Sequence, residues 1–162
     1  IMGIMYLGVP MFSLAMMPML LTSDYVWNGL AFLMFLFLVW GNDVFAYLAG
    51  ITCGRHKMCE RLSPKKSWEG FIGGVLGSVA VGAVAASVLD GDYLKWMILA
   101  VIVSLASVLG DLVESMFKRD AGVKDSGNIM PGHGGMLDRF DALLVAAPFA
   151  FVFVLVYVSI AN

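Results

Sequence analysis

Five apolar stretches, Ile1 to Leu21, Val26 to about Cys53, Gly70 to Leu89, Tyr93 to about Phe117 and Leu137 to Ile160, fill most of this 162-residue chain. Each reaches the roughly 20 residues that an α-helix needs to cross the hydrocarbon core of a bilayer. Only 14% of the residues are charged, against about 25% in soluble domains. In lipid every backbone polar group must be satisfied internally, so apolar runs of this length cross as helices. The chain is predicted to be all-α, a polytopic membrane helix bundle of about five transmembrane helices forming a single domain over residues 1–162. The first residues are already apolar, with no charged leader region or cleavage site ahead of them. The chain is accordingly expected to lack N-terminal spans of a longer protein.

The basic residues say how the bundle is oriented. The segment 54–69 carries Arg55, Lys57, Arg61, Lys65 and Lys66, and the segment 118–139 carries Lys118, Arg119, Lys124 and Arg139. The links Thr22 to Tyr25 and Asp90 to Asp92 carry none. Nine of the ten basic residues thus fall in alternate loops, which the positive-inside rule places on the cytoplasmic face. The C-terminus then lies outside. No acidic or basic tail points to nucleic acid.

Several features read as architecture. Gly70, Gly74, Ser78 and Gly82 recur every four residues, with Gly73 and Gly77 beside them, a stripe that lets a second helix approach closely. Ser63-Pro64 suits an N-cap and first helical position, predicting a short interfacial turn before the third span. Cys53, His56 and Cys59 are read as ordinary side chains, because a structural zinc site needs a fourth ligand and tighter spacing. No internal repeat of the kind that builds transporters is evident.

Other features are costly in a membrane and point to chemistry. Ser104, Ser107, Asp111, Glu114, Ser115 and Lys118 are spaced by three and four, so they line one face of the fourth helix. Asp138 and Asp141 open the fifth helix one turn apart, which brings two pairs of carboxylates to the same interface. Hard divalent cations such as Mg²⁺ take oxygen ligands of this kind and keep positions for water and phosphate. Between the pairs, Gly127 and the run Pro131-Gly-His-Gly-Gly135 can turn backbone N–H groups toward an anion. Cations, carboxylates and a glycine-rich turn together describe a polyphosphate site; neutralisation of the loop's basic residues is the alternative. Lys65 and Lys66, just ahead of the interface anchor Trp68, either hold anionic headgroups or obey the topology rule, and both readings stay open. Asp43, inside the second span, is a functional candidate by its position alone, with pairing to a basic residue as the alternative.

The stretch Ser115-x-x-Lys118-Arg119, four residues, Lys124-Asp125, then Pro131 to Gly135, Asp138-Arg139 and Asp141 resembles the signature of the phosphatidate cytidylyltransferases, or CDP-diacylglycerol synthases. Asp43 to Tyr47, Ser63 to Gly70 and Gly110 to Ser115 agree with the same family. Val44 departs from it, since the family more often has a small polar residue there. The resemblance implies a catalytic domain that transfers CMP from CTP to phosphatidic acid, giving CDP-diacylglycerol and pyrophosphate. It implies a multi-pass protein of the bacterial inner membrane with its site toward the cytoplasm, Mg²⁺ as cofactor with a second cation left open, and CTP, phosphatidic acid and the bilayer as partners, with homodimer formation left open. Carried over by position, Asp111 and Asp138 would hold the metal. Lys118, Arg119, Lys124 and His133 would contact phosphates, and Asp43, Ser63, Lys65, Lys66, Gly134, Gly135 and Arg139 would help bind substrate. Glu114 and Asp141 would orient those groups. A polyprenol kinase or a synthase acting on ether-linked archaeal lipids is the nearest alternative, and an ion-conducting protein a more distant one.

Overall fold

The computed structural model describes residues 2–22, 25–59, 63–120, 122 and 137–161, the side chains of 2–4, 59, 63–65, 137–139 and 161 lying outside that description. It is a bundle of five helices: α1 (Met2–Leu21), α2 (Gly29–Cys53), α3 (Trp68–Val88), α4 (Tyr93–Asp120) and α5 (Leu137–Ala161). A hairpin of two short strands, β1 (Lys57–Cys59) and β2 (Ser63–Ser67), joins α2 to α3. Helices α2, α3, α4 and α5 include stretches long and apolar enough to cross a membrane, and α1 is apolar throughout. The protein is an integral membrane helix bundle. Helix α2 packs on α3, α3 on α4 and α4 on α5, and α1 returns to lie against α5.

Small residues decide how closely these helices approach. Gly70, Gly74, Gly77, Ser78 and Gly82 are buried along one side of α3. A Cβ on Gly74 would sit 2.9 Å from the backbone oxygen of Asn42 in α2, and one on Gly82 would sit 2.8 Å from the backbone oxygen of Trp96 in α4. One stripe therefore serves two neighbours, α2 at the hairpin end and α4 at the other. Between them the buried Ser78 hydroxyl donates to the Leu38 carbonyl at 3.1 Å, so its polar group is satisfied inside the bundle. The apolar core is built from Phe35, Leu38, Trp96, Leu99 and Val103, all fully buried.

Helix α3 begins later than Ser63-Pro64 predicts. Residues 63–67 pair with β1 as an antiparallel strand, with Lys57 opposite Ser67 and Cys59 opposite Ser63. The cap is Ser67, whose extended backbone turns its hydroxyl to accept the Gly70 N–H at 3.1 Å. The extended conformation that proline favours at Pro64 continues the strand instead of opening a helix.

The end of the bundle opposite the hairpin is tied by polar contacts. Lys95, the one basic residue outside the two basic loops, donates to the Leu21 carbonyl at 2.7 Å and so closes the C-terminus of α1. Asp92 accepts from the Leu94 N–H at 2.9 Å, and the Tyr157 hydroxyl of α5 donates to its other oxygen. The Tyr157 hydroxyl first, then the Leu94 N–H, hold the Asp92 carboxyl below its ordinary range. A depressed folded value means stabilisation that is present above the ordinary value of about 4 and lost as pH falls through the folded one. Asp92→Ala is expected to lower Tm in detergent at neutral pH, with the difference from the unaltered protein shrinking as the pH drops below about 4. A difference independent of pH would contradict this. Gly74→Ala is expected to cost about 1–3 kcal/mol by overpacking against Asn42, read as a fall in the same Tm.

Candidate active site

Asp111 sits roughly 14 Å along α4 from its Asp120 end, and Asp43 roughly 15 Å along α2 from its Cys53 end, if each residue advances the helix by about 1.5 Å. The two acids stand at a similar depth, Asp111 half-buried and Asp43 exposed. What brings α5 to them is Gly110, where an added Cβ would lie 2.8 Å from the Asp141 backbone oxygen and 3.1 Å from the Val145 side chain. The glycine beside Asp111 thus lets α5 lie close enough for Asp141 to reach it.

From the hairpin, Lys66 extends inward and its Nζ donates to Asp111 Oδ2 at 2.6 Å. This pair links residues far apart in sequence, and both side chains are mostly shielded from solvent. Asp43 faces Asp111, Asp141 and Lys66 as its charged neighbours, with the Asn42 amide donating to its Oδ1 at 3.4 Å. Asp141 Oδ1 accepts the Ala142 N–H at 2.7 Å, and its carboxyl lies between those of Asp111 and Glu114. Glu114 is 2% exposed, with Lys118 Nζ 3.4 Å from its Oε2, and neither of its oxygens accepts a hydrogen bond among the described residues.

Two cavities meet at this cluster. One, of about 520 Å³, is lined from the hairpin side by Lys57, Met58 and Ser67 and from the helices by Asn42, Tyr47, Gly70 and Phe71. The other, of about 560 Å³, opens between α2, α4 and α5 and is lined by Leu36, Trp40, Ser115, Phe140, Asp141 and Leu143. Asp43, Lys66 and Asp111 line both. A Lys–Asp pair and a second carboxylate therefore form the wall that separates the two spaces.

Among the positions marked in the sequence, Asp43, Lys66, Asp111, Glu114 and Asp141 come together here. Lys118 turns toward Glu114, its neighbour one turn back, and Arg119 is exposed at the end of α4. Ser63 and Lys65 lie on β2 and Asp138 and Arg139 in the first turn of α5, with side chains outside the described residues; Lys124, His133, Gly134 and Gly135 lie outside them altogether. The cavities also recruit Asn42 and Tyr47, which the sequence set beside or within the stretch opening at Asp43, and Lys57 and Trp40, which no sequence pattern assigned to this place.

Residues 1–157 match the cytidylyltransferase family. The chain belongs to that family. A phosphatidate cytidylyltransferase of Staphylococcus saprophyticus is 47% identical over 124 residues, covering 75% of this chain and 48% of the relative. One from Staphylococcus epidermidis is 48% identical over the same length, and one from Haemophilus influenzae is 45% identical over 130 residues, covering 76% of this chain and 45% of the relative. The chain spans about half the length of the relatives it matches.

The donor chemistry of this family member's cluster fits a hard cation. Carboxyl groups from three helices face one another, and like charges this close repel unless a cation or a proton lies among them. Among the described residues, no three His, Cys, Asp or Glu side chains form a ready-made cage. Mg²⁺ can be held through as few as one or two carboxylates, with water and phosphate completing its shell, and Asp111 is a described carboxylate that could serve. The Lys66–Asp111 pair supplies part of the balancing charge. A double-mutant cycle of Lys66→Met and Asp111→Asn, read by thermal unfolding in detergent, is expected to give a coupling of about 1–3 kcal/mol. Strict additivity would contradict a direct pair.

Proposed function

We propose that the complete protein transfers CMP from CTP to phosphatidic acid, forming CDP-diacylglycerol and releasing pyrophosphate. The observation that carries this reading is the shared wall: two cavities of similar volume meet at Lys66, Asp111 and Asp43. A reaction that joins two phosphates needs two binding spaces with a charged seam between them. The space beside the hairpin, with Lys57 and Lys66 on its wall, suits the nucleotide arriving from water. The space with Leu36, Trp40, Phe140 and Leu143 suits a lipid phosphate whose tails remain in the bilayer.

In the proposed step a phosphatidate oxygen attacks the α-phosphorus of CTP, a new P–O bond forms, and the bond to the β-phosphate breaks. The attacking oxygen is already anionic, so no side-chain base is required. The barrier is the approach of two anions in line, and preorganised positive charge lowers it. Mg²⁺, when bound, would supply charge neutralisation along the triphosphate. Asp111 would hold it, with Asp138 of the first turn of α5 as the second carboxylate, and a second cation would find further carboxylate oxygen on Asp43 or Asp141. Lys66 is placed to exchange its hold on Asp111 for a phosphate oxygen. Glu114 and Lys118 orient the α4 side of the site, the pair keeping a buried carboxylate from standing alone. From the signature loop, Arg119, Lys124, His133 and Arg139 would take the departing pyrophosphate, with Gly134 and Gly135 offering backbone N–H groups. Ser63 and Lys65, on the hairpin, would meet the nucleotide phosphates.

With the positive-inside rule applied to the two basic loops, the hairpin and signature loop face the cytoplasm, and a bacterial inner membrane is the proposed location. The test uses CTP labelled at either the α- or the γ-phosphate, with phosphatidate and Mg²⁺. The expected result is α-label in lipid and γ-label in pyrophosphate, with turnover abolished by chelation and restored by Mg²⁺. γ-Label in the lipid would contradict the proposal and identify a kinase.

A further inference from the structure

The hairpin that delivers Lys66 is small. A two-stranded ribbon is marginal by itself in water, and β1 and β2 pair over only a few residues with an irregular register. Yet Lys66 must hold a long, flexible side chain against Asp111, at a cost in rotamer entropy. Something outside the strand pairing has to fix the backbone from which it extends.

Glu69, in the first turn of α3, occupies that role geometrically. Both of its oxygens lie 3.2 Å from the His56 backbone N–H, which donates to them, and its Oε1 is 2.6 Å from His56 Nδ1. The His56 carbonyl in turn accepts the Trp68 N–H at 3.0 Å. His56 is the residue just before β1, so its peptide groups are gripped on both sides by the start of α3. At the other edge, β2 ends with Lys66 and the cap Ser67, only a short step from Glu69 itself. The hairpin is thus closed at its base by Glu69 and His56, and the strand carrying Lys66 is held between that clasp and the capped helix.

We propose that Glu69 and His56 are positioning residues for Lys66, a clasp that presents its ammonium to Asp111 at the seam between the two cavities. The consequence for turnover rests on the function proposed above; the clasp itself does not. An acidic residue in a first helical turn also favours the helix dipole, and that simpler role makes different predictions. It needs only a negative charge at position 69 and has no use for His56. A clasp needs reach, which Glu69→Asp shortens by one methylene while keeping the charge.

The experiment uses the complete membrane protein with every native cysteine, Cys53 and Cys59 among them, replaced by Ser and a single reporter cysteine, Lys66→Cys. The rate of modification by a membrane-impermeant maleimide is compared with Glu69 intact, with Glu69→Asp and with His56→Ala. The clasp predicts faster labelling in both variants, by about fivefold or more for Glu69→Asp, as local opening becomes easier. Equal rates in all three overturn it, whatever the activity. Separately, in the protein that retains its lysine, Glu69→Asp should lower CTP- and phosphatidate-dependent turnover, and in a Lys66→Ala background it should add no more than about a twofold further loss, since residues acting through one another are not additive. Multiplying losses overturn the clasp as a device acting through Lys66. If Lys66→Ala alone leaves turnover intact, the proposed function of the seam is contradicted, while the labelling rates still decide the clasp.

Discussion

The ion pair between Lys66 and Asp111 is the interaction on which the site depends. A carboxylate placed roughly 14 Å along a membrane helix is tolerable only if charge of the opposite sign comes to meet it. Here that charge arrives from a loop, on a strand that folds back into the mouth of the bundle. Three other acids, Asp43, Glu114 and Asp141, gather at the same place, and among the described residues one lysine on the hairpin and one on α4 face them. Among the described residues carboxyl groups outnumber the lysines here, an arrangement that costs stability and suits a cation arriving with its phosphates.

The small residues follow from that requirement. Carboxyl groups on different helices face one another only if the helices nearly touch, and Gly110 removes the side chain that would keep α5 away from Asp111. Gly74 does the same for α2, holding the turn that bears Asn42 and Asp43 against α3. Sequence glycines that read as generic membrane packing are therefore also what sets the spacing of the charged cluster. Structure and chemistry share the same positions.

The five helices were legible because apolar runs of bilayer length have one solution in lipid; α2, α3 and α4 depart from the predicted boundaries by only a few residues. The pairing of Asp111 with Glu114 on one face of α4 was legible from spacing alone, and so was the i, i+4 relation that turns Lys118 toward Glu114. The hairpin was not, because its strands are short, basic and without alternation, and Ser63-Pro64 imitates a helix start that Ser67 provides. Nor could spacing place Asp43 beside Asp111, or Glu69 on His56, since those contacts depend on how separate elements are stacked. The signature-loop residues from Lys124 to Gly135 lie outside the described residues, so their expected phosphate contacts stand on the resemblance and the proposed mechanism.

CMP transfer is proposed to depend on a cation held by Asp111 together with Asp138. The most direct measurement is CTP- and phosphatidate-dependent turnover by the complete protein with Asp111→Asn or Asp138→Asn, alongside a check of membrane insertion. Normal insertion and a loss of at least about 100-fold in each variant are expected, the scale seen when a principal electrostatic element of such a site is removed. Near-normal turnover in both would contradict that dependence.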